Sequence, residues 1–130
     1  MILLDTSAWI EFLRDTGSPV CRRVDGLLAD AVATCDPVRM EVLAGARSES
    51  HLRDLRGLLA RTTSLDVTSA HYELAATLYR SARQQGFTVR RLTDCLIAAV
   101  AITHAVPVLH ADRDFDAIAQ VSDLSVVSVE

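Results

Sequence analysis

The sequence predicts an α/β fold with a mainly parallel central sheet flanked by helices on both faces. Short, mostly apolar runs alternate along the chain with longer segments of helical periodicity, the order expected of repeated β-α units. These runs (Ile2–Leu4, Ala31–Cys35, Val106–His110) suit strands covered on both sides. Half of the 130 residues are hydrophobic, enough to build one core, so the chain reads as a single domain over residues 1–130.

Taken in order, the first strand, Ile2–Leu4, stops at Asp5. Ala8–Arg14 follows as a short helix with Trp9, Ile10, Phe12 and Leu13 apolar, and Asp15-Thr16-Gly17-Ser18-Pro19 breaks it. Val20–Asp30 places Val20, Val24, Leu27, Leu28 and Ala31 at helical spacing, and Ala31–Cys35 reads as the second strand. Asp36 offers an N-cap and Pro37 a first helical residue, opening a helix that ends at Gly45. Glu49–Leu59 is amphipathic, with Leu52, Leu55, Leu58 and Leu59 on one side and Arg53 and Arg56 on the other. Leu65-Asp66-Val67 reads as a short strand. Ser69–Gln85 is a long helix with Tyr72, Ala75, Ala76, Leu78, Tyr79 and Ala82 facing inward, stopped by Gly86. Beyond Arg90 and Arg91, Thr93-Asp94 opens Cys95–His104, which is apolar nearly all round and therefore buried on most sides. Val106–His110 is a further strand, Asp112–Asp116 opens a last short helix, and Leu124–Val129 closes with alternating apolar residues.

Composition narrows the function. Cys21, Cys35 and Cys95 form an odd, scattered set without a C-x-x-C pair, which argues for reduced thiols and against a disulfide framework or a zinc knuckle. No basic leader segment precedes the first strand and the longest apolar run, Cys95–Ile102, is too short to cross a bilayer. A soluble, cytoplasmic protein without a membrane partner is expected. The net charge of −4 argues at first against nucleic acid, but its distribution matters more than its sum. All 13 basic residues are Arg and none is Lys. That choice suits bidentate phosphate contacts, although a GC-rich genome would produce it too. The absence of Lys excludes a P-loop lysine, a Schiff base and a receiver-type phosphorylation site.

Four acids stand where solubility does not call for them. Asp5 ends an apolar strand, Glu41 lies within an apolar arc of its helix, Asp94 begins the most buried helix, and Asp112 follows the strand Val106–His110. In a parallel sheet, strand C-termini and helix N-termini share one edge, so these groups can converge. Each acid also has a plainer use. Asp5 can cap the first helix (Thr6 and Ser7 also serve), Asp94 can complement a helix dipole, Glu41 can face solvent, and Asp112, Asp114 and Asp116 can serve a turn. Taken together, several carboxylates on one edge repel unless cations neutralise them, which is the composition of a Mg²⁺ or Mn²⁺ site. Discounting those four acids leaves the remaining surface near neutrality, so a metal-loaded protein need not repel a phosphate backbone. Asp112-x-Asp114-x-Asp116 is not an EF-hand, because Ala117 stands where Gly is needed, and Ser7 replaces the second Asp of an aspartyl phosphatase. His51, His71, His104 and His110 show no metal-ligand spacing.

Asp5-Thr6-Ser7 after an apolar strand, Glu41 in a helix after a strand, Asp94 in L-T-D-C-L-I-A-A, and the tail H-A-D-R-D-F-D together resemble a PIN domain. More narrowly, the whole chain resembles the VapC toxins of bacterial VapBC toxin–antitoxin pairs. The resemblance implies a Rossmann-like sheet and a Mg²⁺- or Mn²⁺-dependent endoribonuclease that cleaves structured RNA, tRNA or rRNA, and so inhibits translation. It makes Asp5, Glu41, Asp94 and Asp112 the catalytic and metal-binding quartet, with Asp5 and Asp94 the firmest ligands. Asp114 competes with Asp112 for the fourth place, and Asp112 is preferred as the first acid after the strand. Thr6 and Ser7 support the site. A free carboxylate such as Glu41 or Asp112 orients the attacking water, leaving a 5′-phosphate and a 3′-hydroxyl. Arg90 and Arg91, then Arg113 and Arg39, are the candidates for holding the RNA backbone.

The resemblance further implies a homodimer and a cognate VapB antitoxin forming a toxin–antitoxin hetero-oligomer, the antitoxin blocking the acidic site. Helices Pro37–Ala46 and Glu49–Leu59 could supply a hydrophobic groove or dimer seam for these partners. A DNA nuclease, an RNA-processing PIN nuclease and a non-catalytic interaction module are the alternatives.

Overall fold

In a computed structural model, which describes residues 1–27 and 31–129, four parallel strands form one sheet in the order β3-β2-β1-β4. They are β1 (Ile2–Leu4), β2 (Val32–Thr34), β3 (Thr63–Ser64) and β4 (Val108–Leu109). Leu3 pairs with Ala33 on one side and with Val108 on the other, so β1 is central. Successive strand residues point to opposite faces. Leu3 and Leu4, Val32 and Ala33, and Val108 and Leu109 are all buried, so both faces of the sheet are covered. This is why the strand runs are apolar without alternation.

The helices are α1 (Thr6–Leu13), α2 (Pro19–Asp25), α3 (Asp36–Ala44), α4 (Glu49–Leu59), α5 (Ser69–Gln84), α6 (Leu92–Thr103) and α7 (Asp114–Gln120). The apolar α6 is the core helix, with Cys95 through Ala101 all buried. It packs on α5, α3 and α7, whose inward residues include Val38, Leu78, Ala82, Phe115 and Ile118. Cys21, Cys35 and Cys95 are buried and free, as the scattered spacing predicts. Burial pushes the Cys35 thiol up to about 11 and the Cys95 thiol up to about 12, which keeps both protonated and inert.

Several boundaries differ from the sequence expectation. α2 ends at Asp25 with Gly26 as its C-cap, and the expected continuation through Leu28 to Asp30 lies outside the described residues. α1 begins at Thr6 instead of Ala8, because Asp5 supplies the cap. The N-cap of α3 is Cys35, with Asp36 and Pro37 already helical. β3 lies at Thr63–Ser64, just ahead of the expected Leu65–Val67, of which only the Leu65 N–H bonds to the sheet, donating to the Thr34 carbonyl. The closing Leu124–Val129 segment contributes one parallel bridge, Val126 to Val108. Of the residues expected on the inner face of α5, Ala75, Leu78 and Ala82 are buried, joined by His71, while Tyr72 and Ala76 are exposed. Two apolar clusters of one helix cannot both face the same neighbour, and α6 takes the His71–Ala82 stripe.

Gly86 stops α5 as expected. With φ +87° it lets the Phe87 N–H reach back to the Ala82 carbonyl and its own N–H reach Arg83. α6 ends with the same hydrogen bonds, from Val106 to Ala101 and from Ala105 to Ile102, but Ala105 occupies the left-handed position at φ 55°. A side chain there costs about 1 kcal/mol or more, partly offset in glycine by backbone entropy. Ala105→Gly is therefore expected to raise the thermal midpoint by about 3 °C, measured by circular dichroism.

Candidate active site

All four strands run parallel, so their C-terminal ends share one edge, where ligands bind in open α/β sheets. Asp5 follows β1 directly, and its N–H donates to the carbonyl of Leu109 in β4 at 3.0 Å. Glu41 sits on α3, which leaves β2 at the same edge, and Asp94 occupies the first turn of α6. Asp112 and Asp114 follow β4. Asp94, Asp112 and Asp114 each present an oxygen within 4.8 Å of the others. Asp5 is not one of that trio, but its charge is the strongest of those acting on Asp94, and Glu41 is tied in through Arg91.

The two oxygens of Asp5 have different surroundings. Its Oδ2 accepts the N–H of Ser7 at 3.0 Å and the Ser7 hydroxyl at 2.6 Å, capping α1. Its Oδ1 is buried without a hydrogen-bond partner. The same division recurs around the edge. Glu41 Oε1 accepts the Thr6 hydroxyl at 2.8 Å, while Oε2 meets only Arg91 at 3.5 Å. Asp112 Oδ1 accepts the Asp114 N–H at 3.0 Å and the Arg90 guanidinium at 2.8 Å, while Oδ2 faces Arg91 at 3.6 Å. Asp114 Oδ2 accepts the Nε–H of Arg90 at 2.9 Å. Asp94 Oδ2, like Asp5 Oδ1, is buried and unpartnered. On each of Asp5, Glu41 and Asp112, the protein holds one oxygen firmly and leaves the other available.

The unpartnered oxygens are expensive. Asp5 and Asp94 are both 0% exposed, and a buried carboxylate without compensation protonates instead of staying charged. Burial pushes the Asp94 carboxyl up to about 7, with Asp5, Asp112 and Asp114 adding to the rise and Arg91 opposing it. Burial also raises Asp5, opposed by its bonds from Ser7. A divalent cation would relieve this cost. The donor set, carboxylate oxygens with no Cys or His in the trio, suits a hard ion of the Mg²⁺, Mn²⁺ or Ca²⁺ type better than zinc or copper.

Asp112, the first acid after the strand and the preferred fourth ligand, and its competitor Asp114 both belong to the trio. Asp114 is the more deeply buried. Ser7 does more than its small size suggested: its hydroxyl also accepts the Ala111 N–H at 2.9 Å, joining the β1–α1 turn to the loop after β4. Ser7→Ala should lower stability by about 1–2 kcal/mol, measured by urea unfolding, because it leaves that N–H and Asp5 Oδ2 short of partners. His110 had no assigned role. Its Nδ1 accepts the Asp112 N–H at 3.1 Å and its Nε2 lies 3.1 Å from Asp116, so it braces the loop that carries two acids. Arg90 and Arg91, the first candidates for holding the RNA backbone, pair with the acids of this edge. Arg113 is exposed and Arg39 half-buried, and neither pairs with an acid among the described residues.

An all-parallel sheet whose C-terminal edge gathers acids from β1, α3, α6 and the segment after β4 is what the resemblance implied, and the chain matches the PIN domain family over residues 2–121. It belongs to that family. Within it, the chain is 44% identical to Ribonuclease VapC11 of Mycobacterium tuberculosis over 98% of each chain. It is also 34% identical to Ribonuclease VapC51 of the same organism, over 92% of this chain and 86% of that one. Its fold matches VapBC-1 from nontypeable Haemophilus influenzae at a TM-score of 0.76 and 21% identity, over 98% of each chain. No helix among the described residues of this PIN domain is long and apolar enough to cross a membrane.

Proposed function

We propose that this PIN domain is a Mg²⁺- or Mn²⁺-dependent endoribonuclease acting as the toxin of a VapBC-type pair, on structured RNA such as tRNA or rRNA. The observation that carries the metal-dependent chemistry is the pair of buried, unpartnered oxygens on Asp5 and Asp94 beside Asp112 and Asp114. Asp94, Asp112 and Asp114 would hold the cation, with Asp5 completing its surroundings. The chemistry such a cation supplies is charge neutralisation at the scissile phosphate and the leaving 3′ oxygen, together with a more acidic water. Glu41 orients the attacking water through Oε2, because the Thr6 hydroxyl fixes its other oxygen and thereby the plane of the carboxylate. The RNA specificity rests on the likeness to the two mycobacterial ribonucleases.

The test is incubation of the purified protein with total RNA. Cleavage in Mg²⁺ or Mn²⁺, none in EDTA, and new ends bearing a 5′-phosphate are expected. Cleavage that persists in EDTA would refute the metal-dependent reading.

An antitoxin has a place to dock. A groove of about 560 Å³ between α1, α3 and α4 is lined by Ile10, Leu13, Val42 and Leu55, with Glu41 at its site end. Ile10 and Leu13 are exposed there. An amphipathic helix laid in the groove would reach the acids through Glu41, which lines both. Leu13→Asp is expected to abolish co-purification with the antitoxin while RNA cleavage persists. A homodimer would use the separate groove lined by Met40, Tyr72, Val67 and Leu96, where Met40 and Tyr72 are exposed. Of the Leu residues of α4, expected to supply a groove or a dimer seam, Leu55 lines the groove, and Leu55, Leu58 and Leu59 pack in or against the core.

A further inference from the structure

Arg90 and Arg91 are neighbours in sequence but hold the acids in different ways. Arg90 grips Asp112 Oδ1 at 2.8 Å and Asp114 Oδ2 at 2.9 Å, and its own N–H adds a 3.2 Å bond to Asp114 Oδ2. Those are the structurally committed oxygens, and the distances are those of firm charge-assisted hydrogen bonds. Arg91 touches Glu41 Oε2 at 3.5 Å, Asp94 Oδ1 at 3.4 Å and Asp112 Oδ2 at 3.6 Å. On Glu41 and Asp112 these are the oxygens no other donor claims. All three contacts are long, and the Arg91 side chain is 51% exposed, so each is weak on its own. One guanidinium thus leans across the acids of three elements without closing a tight pair with any.

We propose that the Arg91 guanidinium is a resident counter-cation: it lies against the available oxygens of Glu41 and Asp112 and against Asp94 Oδ1 until a divalent ion displaces it, and it then turns to the substrate phosphate. The inference rests on the reading that these acids hold a divalent cation. A single delocalised charge cannot match a compact double charge among the same oxygens, so the ion wins at sufficient concentration. Once the ion is in place, Arg91 is repelled from the acids it faced. Its planar fork remains at the mouth of the site, where a phosphodiester offers matching bidentate acceptors. Arg90 stays in place, because its partners are the oxygens that the fold itself uses.

The experiment is calorimetric titration of Mn²⁺ into the purified, antitoxin-free protein and its Arg91→Gln, Arg91→Lys and Arg113→Gln variants, at one pH and ionic strength. Removing a competing charge at contact distance should tighten Mn²⁺ binding about tenfold in Arg91→Gln. Arg91→Lys keeps the charge and should bind like the parent. Arg113→Gln, whose side chain pairs with no acid among the described residues, should do the same. Arg91→Gln binding no tighter than the parent would overturn the inference, as would an equal gain in Arg113→Gln, which would show a diffuse field effect. If neither parent nor Arg91→Gln takes up Mn²⁺, the metal reading itself falls. Should Arg91→Gln not fold, Mg²⁺ titration of the parent followed at the arginine Nε–H resonances decides. The Arg91 signal should shift with the Arg90 signal unmoved, and an unmoved Arg91 signal overturns the inference.

Discussion

Asp94→Asn is expected to abolish RNA cleavage, by at least about a thousandfold, while making the metal-free protein more stable near neutral pH. Both effects come from one group. Asp94 has no exposure to solvent, one unpartnered oxygen and a carboxyl pushed up to about 7, first by burial and then by the charge of Asp5. Its folded-state value lies above the ordinary 3.8, so the folded chain binds the proton more tightly than the unfolded chain. The stability from this group is therefore fully present below about pH 4 and is lost as pH rises through about 7. The loss is on the order of a few kcal/mol. In EDTA, the thermal midpoint of the parent should fall between pH 5 and pH 8, and Asp94→Asn should flatten that fall. Added Mg²⁺ should restore the parent at pH 8 and leave the variant unchanged. A parent midpoint independent of pH in EDTA would contradict the picture of a strained, cation-seeking carboxylate.

Asp5 separates the two uses of one side chain. Asp5→Asn keeps an amide oxygen to accept the two bonds from Ser7 and should retain the α1 cap. It loses the negative oxygen and should lose RNA cleavage by orders of magnitude with little change in midpoint, or a small rise from relieved repulsion. Asp5→Ala loses the cap as well and strands the Ser7 donors. It should cost about 1–2 kcal/mol more than Asp5→Asn in urea unfolding. Equal stability of the two variants would mean that the cap contributes nothing, and an active Asp5→Asn would remove Asp5 from the site.

Much of this site was legible in the residues. Acids placed after apolar strands or at helix starts converge in any parallel sheet, because the topology puts those positions on one edge. Periodicity identified the buried α6 and the position of Gly86. It could not choose which stripe of α5 faces inward, since Tyr72 and Ala76 belong to a second apolar arc as plausible as that of Ala75 and Leu78. The short strands were also imprecise. β3 holds only Thr63 and Ser64, both exposed, so neither burial nor composition marks it. The roles of Ser7 and His110 depend on bonds to Ala111 and Asp112, and no local pattern announces them.

What the sequence determined alone was an α/β chain with a parallel sheet, free cysteines, and a set of carboxylates at strand ends and helix starts that share one edge. Those properties follow from local pattern and composition. Tertiary structure decided how each carboxylate is divided. Which oxygen of Asp5, Glu41 or Asp112 is held and which is left available depends on partners 2 to 50 residues away in the chain. The same is true of the arginines. Arg90 and Arg91 read alike in sequence, yet packing gives one the committed oxygens and the other largely the unclaimed ones, because adjacent residues at the start of a helix point in different directions.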